Sequence, residues 1–508
     1  IKSLIIHHDK KNINWIQNTV YVALTIALIL TLFWFKDKQI SSPIEKNNKA
    51  IAVLPIKNTG DSLENYFAYG ISNELTSEFS KIQALRVTTN QSTKKYENTM
   101  MSMPEIAAEL NVDFLVDASI QKVDNKIEVK VKLIELKPYE DILWSDVYIE
   151  EHRNIYSLYN DLIKDIIEIV EVPLRHSEEI NLAMATMLDP VAHDAYLKGI
   201  YFKDRLSEEG LDLAEKYFNL AIEKDPDFAL AYVGLFLTWG GRMQSGLIHP
   251  SEGLPRANDA AMKALQIDNN MPDIHFMLAI KATWTDWGDW ESAGQSFEKT
   301  LDLNPNHAMA NAYYAHYLNI VNKPNDALKY AEKAFGLDPF NPLMHGLYGQ
   351  CLRDRKEYDK AIEVLTAALE DSSDGILLAT LQSVYHMKGM HEEALELWIQ
   401  LYEQLDDAVA VEKIKIGAAE GGYVGALEEV ALLFEQRYKS GKQGYIRPWS
   451  IGTKYTRSGA KEKALYYLEK AFEEHDANMP YISVDPIFDY MRDDPRFKAL
   501  IEKMNYPK

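Results

Sequence analysis

The sequence predicts an N-terminal α/β domain followed by an all-α, right-handed solenoid of helical hairpins, with one transmembrane helix preceding both. Three observations support this prediction. A repeat of about 34 residues runs through the C-terminal half, short apolar and amphipathic segments alternate before it, and one long uncharged stretch lies near the start. A chain of 508 residues is also too long for a single hydrophobic core, so several structural units are expected.

The repeat extends over residues 190–476. One alanine marks each unit, at steps of 43, 36, 34, 34, 33, 32 and 38 residues: Ala214, Ala257, Ala293, Ala327, Ala361, Ala394, Ala426 and Ala464. Small residues at this spacing let helices pack closely, and pairs such as Asn304-Pro305 end helices, because the residue before proline leaves the helical region. Helix pairs with this period are typical of tetratricopeptide (TPR) repeats, of which about eight fit. An ordinary helical bundle is the alternative, but the alanine and proline registers agree over several units.

Residues 14–35 predict a transmembrane helix, flanked by residues 1–13 and by a polar linker over residues 36–49. No charged residue lies between Asn12 and Phe35, and about 20 apolar residues suffice to cross a hydrocarbon core of about 30 Å. A cleaved signal peptide is the alternative, but the apolar run ends in bulky residues rather than small ones. The flanking lysines are nearly balanced, so charge does not set the orientation.

Residues 50–176 predict the α/β domain. Residues 50–56 form a nearly continuous apolar run, which is typical of a buried strand. Residues 126–136 alternate between apolar and charged side chains, as in a strand with one buried face. Apolar residues recur at helical spacing in residues 64–82 and 154–174. The predicted order of elements is β-α-β-α-β-β-β-α.

Several segments of this domain resemble the TolB-like amino-terminal domain: Ile51-Ala52-Val53-Leu54-Pro55, Tyr66-Phe67-Ala68-Tyr69-Gly70-Ile71 and Leu143-Trp144-Ser145. In that family the domain often precedes TPR repeats, although Tyr69 stands where the family usually has aspartate. Residues 477–508 are expected to form a C-terminal capping helix, and residues 488–497 are similar to the terminal cap of such chains. The resemblance implies a membrane-anchored bacterial regulator, with residues 50–508 on the periplasmic, extracytoplasmic side of the inner (cytoplasmic) membrane.

The sequence shows no motif for catalysis. It holds no Gly-rich phosphate loop, no serine elbow and no Cys/His metal set, so we expect no catalytic residue, no metal and no cofactor. Cys351 is the only cysteine, and no intrachain disulfide can form. A formal charge of −22 argues against nucleic-acid binding by this chain, because phosphates require a basic surface.

Candidate partner-binding residues follow from repeat geometry, since the first helix of each TPR unit lines a concave groove. The repeat register places two polar rows in that groove: His316, Gln350 and Ser383, and Asn319, Arg353 and His386. We expect these side chains to hydrogen-bond an extended peptide, with Arg353 suited to a carboxylate. The alternative is a groove that is merely wetted by solvent.

Three tryptophans lie in one predicted turn between two helices: Trp284, Trp287 and Trp290. Aromatic side chains at this spacing predict a patch for a sugar or a peptide. The alternative is that they pack as a wedge between the two helices, which is the more frequent use of such residues.

The expected function is non-covalent binding. The chain would be a membrane-anchored protein-binding or sensory module that holds a peptide or protein partner in the TPR groove, within a signalling or transcription-regulatory system. One alternative is an envelope assembly scaffold without regulatory output. Another is the regulatory part of a nucleotide cyclase whose catalytic domain lies upstream of residue 1. Homo-oligomers are compatible with each of these functions.

Overall fold

The computed structural model describes most of the chain from Lys49 onward: residues 49–60, 65–136, 140–183, 188–205, 207–441 and 445–507. All of these residues belong to one compact unit, residues 47–508. The predicted transmembrane helix over residues 14–35 lies outside the described residues, as do residues 1–13 and residues 36–48 of the linker. No helix within the described ranges is long and apolar enough to cross a membrane.

The N-terminal region contains a mixed β-sheet. Its strands are β1 Lys49–Val53, β2 Lys57–Asn58, β3 Leu85–Thr88, β4 Phe114–Val123, β5 Lys126–Glu135 and β6 Asp141–Glu151. The strand order is β3-β1-β4-β5-β6, with β2 beside β4. β1 pairs in parallel with β3 and β4, and β4, β5 and β6 form antiparallel pairs. The apolar run in β1 is buried, whereas β5 alternates between buried and solvent-facing side chains, as the sequence predicts.

Five α-helices accompany the sheet: α1 Asn65–Ser80, α2 Asn90–Thr93, α3 Met103–Leu110, α4 Ile155–Ile169 and α5 His176–Ala183. α3 begins where it does because Ser102 and Glu105 form a reciprocal capping box at its N-terminus. The predicted order of elements is confirmed, with the two-residue strand β2, the short helices α2 and α5, and the 3-10 helices Lys94–Tyr96 and His152–Asn154 as additions.

The helical array follows the α/β region. Its helices are α6 Pro190–Lys203, α7 Glu208–Lys224, α8 Ala229–Gln244, α9 Pro250–Ile267, α10 Pro272–Ile280, α11 Trp290–Leu303, α12 Ala308–Ile320, α13 Pro324–Leu337, α14 Pro342–Asp354, α15 Tyr358–Asp371, α16 Gly375–Lys388, α17 His391–Gln404, α18 Ala408–Ser440, α19 Pro448–Ser458 and α20 Lys461–Glu473. Many begin at a proline, whose fixed φ suits the first helical position. Consecutive helices pack against each other as hairpins, and the repeat alanines are buried between them.

α18 is itself a hairpin, because two glycines break it in the middle. Gly421 and Gly422 leave the helical conformation, and Gly422 has a φ of 62°, which favours glycine. The two halves then approach so closely that a Cβ at Gly417 would lie 2.3 Å from the carbonyl oxygen of Gly425. The described part of the array therefore consists of hairpins from α6/α7 to α19/α20.

The chain ends in three short helices rather than in one capping helix. Two 3-10 helices, Met479–Ser483 and Pro486–Met491, precede α21 Pro495–Lys503. Pro486 and Pro495 each start a new element, because proline has no backbone N–H with which to continue the hydrogen bonding of a preceding helix.

The turns between repeat units hold the α/β region against the array. Asn306 follows Asn304-Pro305, and its Nδ2 lies 3.1, 3.2 and 2.7 Å from the carbonyl oxygens of Ser80, Ile82 and Leu85. The next such turn places Asp338 2.6 Å from the hydroxyl of Ser92. The residues that terminate the repeat helices thus also dock the sheet and its first helix.

A buried hydrogen-bonded chain joins the sheet to the first hairpin. Nε2 of His152 lies 3.0 Å from Nδ1 of His193, and Nε2 of His193 lies 3.0 Å from a carboxylate oxygen of Glu74. The Tyr159 hydroxyl donates to Glu74 at 2.9 Å. Burial, followed by the neighbouring His193, lowers the pKa of His152 to about 4, so the His152 imidazole is neutral at pH 7. Nearby, α1 and α6 approach so closely that a Cβ at Gly70 would lie 2.6 Å from the Leu197 side chain.

Candidate functional site

The two polar rows lie on α12, α14 and α16, the first helices of three successive hairpins. His316, Asn319, Arg353 and Ser383 are buried, whereas Gln350 and His386 are part-exposed. We call the side of these helices that carries the rows the groove side. Much of it is covered by residues 476–507, the C-terminal segment.

His316 is held from both sides. Its Nε2 donates to the Leu347 carbonyl at 3.1 Å, so its Nδ1 accepts from the Tyr481 hydroxyl at 3.0 Å. Burial lowers the pKa of His316 to about 4, and the imidazole is neutral at pH 7. Asn319 lies beside the thiol of Cys351, whose pKa is raised by burial. His316 is therefore satisfied within the chain, whereas Nδ2 of Asn319 is buried without a hydrogen-bond partner among the described residues.

Arg353 forms an ion-pair network. Its Nη2 lies 2.7 Å from Asp354 and 3.2 Å from Asp485 of the C-terminal segment, and its Nη1 donates to the Ser383 hydroxyl at 2.9 Å. Although burial lowers it, the pKa of Arg353 is raised above its usual value by Asp354 and Asp485. The chain itself thus supplies the carboxylates that this guanidinium requires.

The C-terminal segment is a fixed part of the fold. Its polar groups reach across the groove side: the Ser483 hydroxyl donates to the Ile320 carbonyl at 3.2 Å, and the Tyr490 hydroxyl to the Thr456 carbonyl at 2.9 Å. Its large apolar side chains are almost fully buried: Met479, Ile482, Phe488, Met491, Phe497, Leu500 and Met504. Each such side chain contributes about 1.5–3 kcal/mol of burial free energy, so an exchanging partner would have to replace all of these contacts.

The three tryptophans pack within the fold, and Trp290 also contacts the C-terminal segment. Trp284 is buried in the turn after α10, with its ring centroid 5.3 Å from that of Tyr313. Trp290 is also buried; its Nε1 donates to the Met504 carbonyl at 3.1 Å and its ring stacks on Tyr506 at 5.0 Å. Trp287 is part-exposed and lies against Phe472 and His475. The structure therefore places these rings as wedges within the fold.

Beyond the C-terminal segment, α16, α18 and α19 bring together a second cluster, which we call the rear cluster: Gln382, Ser383, His386, Tyr423, Lys454 and Arg457. Nη1 of Arg457 donates to the Gln382 side-chain oxygen at 2.9 Å, and Nη2 to the Ser383 hydroxyl at 3.1 Å. Gln382 in turn donates to the Tyr423 hydroxyl at 3.1 Å. Both acceptors of the Arg457 guanidinium are neutral.

Several groups of the rear cluster are less well satisfied than those around Arg353. Nε of Arg457 and Nδ1 of His386 are buried without a hydrogen-bond partner among the described residues. Burial, followed by Arg457, lowers the pKa of His386 to about 3. Burial, again followed by Arg457, lowers the pKa of Lys454 to about 7. The cluster therefore holds cationic groups that disfavour one another's charge.

Arg457 and Lys454 are not among the site residues predicted from the sequence, although the repeat register contains a signal for Arg457. Arg457 lies seven residues before the repeat alanine Ala464, as Asp354 lies seven before Ala361. That position is one residue beyond the row that contains Arg353. Extending the rows by one position would have placed an arginine on the groove side of the last hairpin. No signal of this kind identifies Tyr481 or Asp485, because the C-terminal segment is outside the repeat.

A tetratricopeptide repeat family model matches residues 321–376, which contain α13, α14 and α15. The chain carries tetratricopeptide repeats. YrrB, a TPR protein with an unusual peptide-binding site, is among the solved structures to which this chain is similar. Among the described residues, no group of three or more His, Cys, Asp or Glu side chains is arranged to hold a metal ion.

Two distant relatives are regulators or enzymes by their descriptions. Putative adenylate cyclase 3 of Rhizobium meliloti (strain 1021) is 25% identical over 248 residues, which cover 46% of this chain and 40% of that protein. The transcriptional regulator HilA of Salmonella typhimurium is 20% identical over 307 residues, which cover 59% of this chain and 54% of that protein. The chain thus spans about half the length of these relatives.

Among solved structures, the human IFIT1 dimer with PPP-AAAA is similar over 62% of this chain and 77% of that chain, at 16% identity and a TM-score of 0.41. YrrB is similar over 38% of this chain and 94% of that chain, at 20% identity and a TM-score of 0.26. At these TM-scores neither structure bears on where this chain binds a partner.

Proposed function

We propose that this chain is a membrane-anchored protein-binding module, which takes a peptide or protein partner on the groove side of its TPR array as part of a signalling or transcription-regulatory system. The proposal includes a TolB-like α/β domain, a right-handed sense of the helical array, and action without catalysis or cofactor. The TPR repeats and the distant relationship to HilA support it.

The observation that carries the proposal is the contrast along the groove side. His316 and Arg353 are engaged by the chain's own C-terminal segment, although Nδ2 of the neighbouring Asn319 has no hydrogen-bond partner among the described residues. In the rear cluster, buried polar atoms of His386 and Arg457 lack partners among the described residues. Because a buried polar group without a partner is costly, the rear cluster is the part of the groove side suited to a second molecule.

Photo-crosslinking in cells tests this function. A benzophenone amino acid at His391, which is exposed and stacks on Tyr423 at 4.6 Å, is expected to form an adduct with one defined partner protein. The matched control carries the same group at Tyr466, which is 47% exposed on α20. Equal adducts from both positions, or none from His391, would contradict a partner site at the rear cluster.

The anchor and its orientation are part of the proposal. The uncharged run over residues 14–35 supports a single-pass anchor in the inner membrane, and the TolB-like resemblance supports an extracytoplasmic position for residues 50–508. Protease added to intact spheroplasts is expected to digest residues 50–508. Full protection from the protease would overturn this topology.

A second candidate function is regulation of a nucleotide cyclase, which the relationship to putative adenylate cyclase 3 favours. A cyclase domain encoded in frame ahead of residue 1 would favour it, whereas a winged-helix DNA-binding domain there would favour transcriptional regulation. An envelope scaffold predicts that deletion of the gene changes envelope assembly without changing the transcription of other genes.

A further inference from the structure

Among the residues that the structure describes, no carboxylate pairs with the Arg457 guanidinium. Its two hydrogen bonds go to the Gln382 amide oxygen and the Ser383 hydroxyl. No Asp or Glu of the described residues forms an ion pair with it within 4.0 Å, although the sequence contains 76 acidic residues and only 54 basic ones. In so acidic a chain, a partly buried arginine without a counter-charge requires an explanation.

Arg353 provides the internal comparison. The Ser383 hydroxyl accepts hydrogen bonds from both guanidinium groups, at 2.9 Å from Arg353 and 3.1 Å from Arg457. Arg353 is compensated by Asp354 and Asp485. Burial lowers the pKa of Arg457; Asp485 opposes this from a distance, but it pairs with Arg353. The two arginines therefore share one hydroxyl and differ in their counter-charge.

Lys454 adds a second cation to the same helix face. It lies three residues before Arg457 on α19, and side chains at this spacing are neighbours. Its Nζ donates to the Ser450 carbonyl at 3.2 Å and lies 4.3 Å from the centre of the Phe434 ring. It too forms no ion pair with a described Asp or Glu within 4.0 Å. Like charges at this spacing destabilise a helix, so fold stability does not explain the arrangement.

The remaining walls suit a peptide rather than a bare ion. The rings of His391 and Tyr423 stack at 4.6 Å, and the His386 ring centroid lies 5.7 Å from that of Tyr423. His391 is exposed, and Arg457 and Lys454 are part-exposed, whereas Tyr423 is buried beneath the His391 ring. A ligand thus finds the Arg457 guanidinium and the Lys454 amine near one exposed aromatic ring.

We propose that Arg457 and Lys454 bind a carboxylate of an acidic peptide segment of the partner, with His391 contacting its apolar part. This inference rests on the proposed function, since it names the class of partner that the rear cluster takes. The carboxylate replaces the counter-charge that Arg353 finds in Asp354 and Asp485. A guanidinium binds both oxygens of a carboxylate in a fixed geometry, which gives specificity as well as affinity.

Calorimetric titration of the full chain with short blocked peptides tests the inference. The probes are acetyl-tetraglutamate amide, with side-chain carboxylates only; acetyl-tetra-alanine with a free C-terminus; and acetyl-tetraglutamine amide, which is neutral. We expect one of the two acidic probes to bind and the neutral probe to bind at least tenfold more weakly. Whichever acidic probe binds identifies the source of the carboxylate.

Two variants locate the binding. Arg457→Gln is expected to weaken binding of the acidic probe at least tenfold, and Lys454→Gln is expected to weaken it less. Arg496→Gln is the matched control, because Arg496 is ion-paired with Glu469 and Glu462. The affinity of this variant for the acidic probe is expected to equal that of the unmodified chain. Raising the salt concentration is expected to weaken binding of the acidic probe to the unmodified chain.

Three results would overturn the inference. None of them would refute the proposed function, which the crosslinking experiment tests separately. One is equal affinity of the acidic probe for Arg457→Gln and Arg496→Gln. Another is that neither acidic probe binds more tightly than the neutral probe. The third is inorganic phosphate binding as tightly as the acidic peptide, which would make the cluster a small-anion site. A partner adduct at His391 together with any of these would leave only the carboxylate assignment refuted.

Discussion

Arg353 and Arg457 lie on the same side of the array and donate to the same hydroxyl, yet they have different chemical surroundings. Arg353 is neutralised by two carboxylates of its own chain, whereas Arg457 has only neutral acceptors. A buried charge that is compensated internally contributes to the fold, and one that is not compensated destabilises the free protein. The difference separates a structural part of the groove side from a part suited to binding.

The largest effect is expected from removing the compensated charge. Arg353→Gln leaves Asp354 and Asp485 buried without a cation, and we expect a loss of about 3–5 kcal/mol of unfolding free energy. The measurement is urea or thermal unfolding of the full chain. Arg457→Gln is expected to cost clearly less, because it strands no carboxylate.

Arg496→Gln is the control for a surface ion pair, with an expected cost of at most about 1 kcal/mol, since Arg496 and its partners Glu462 and Glu469 are substantially exposed. If Arg457→Gln proved as destabilising as Arg353→Gln, the distinction between the two arginines would not hold.

The next largest effect concerns pH. The pKa of His316 is lowered by burial from near 6.5 to about 4, so the unfolded chain takes up a proton at a higher pH than the folded chain. Stability is therefore full above about pH 6.5 and falls as the pH drops toward 4, by at most about 3 kcal/mol from this group. Protonation at Nδ1 would also remove the acceptor for Tyr481.

Urea midpoints of the unmodified chain and of His316→Gln at pH 7.5, 6 and 5 check this expectation. The variant is expected to lose less stability on acidification than the unmodified chain. An identical pH dependence in both proteins would show that His316 is not buried in its neutral form.

A smaller effect is expected where the array holds the α/β region. Asn306→Ala removes the amide group that lies within reach of the carbonyls of Ser80, Ile82 and Leu85, at an expected cost of about 1–3 kcal/mol. Hydrogen exchange should accelerate at amides in residues 80–88. Asn270→Ala, at an exposed position, is the control and should leave these rates unchanged; equal rates in both variants would exclude the docking role.

The smallest effect concerns Lys454. Burial and the neighbouring Arg457 lower the pKa of Lys454 to about 7, so Arg457→Gln is expected to raise it toward the ordinary lysine range. The pH dependence of Lys454 acetylation, followed by mass spectrometry, measures this shift. A pKa that stays the same in Arg457→Gln would mean that the two cations do not interact.

The sequence predicted the order of strands and helices and the helical hairpins, because these depend on local periodicity and on where prolines and small residues fall. It also placed His316 and Arg353 on the helices that carry the polar rows. It did not predict that residues 476–507 cover those rows, because Tyr481 reaches His316 and Asp485 reaches Arg353 over more than 100 residues of chain. Long-range contacts of this kind leave no periodic signal.

A crystal structure of the full chain with whichever of the two acidic probes binds tests the account most directly. The account predicts a peptide carboxylate within hydrogen-bond distance of Arg457, while Asp485 remains on Arg353 and Tyr481 on His316. A peptide that displaces the C-terminal segment from Arg353, or that binds away from Arg457, would contradict it.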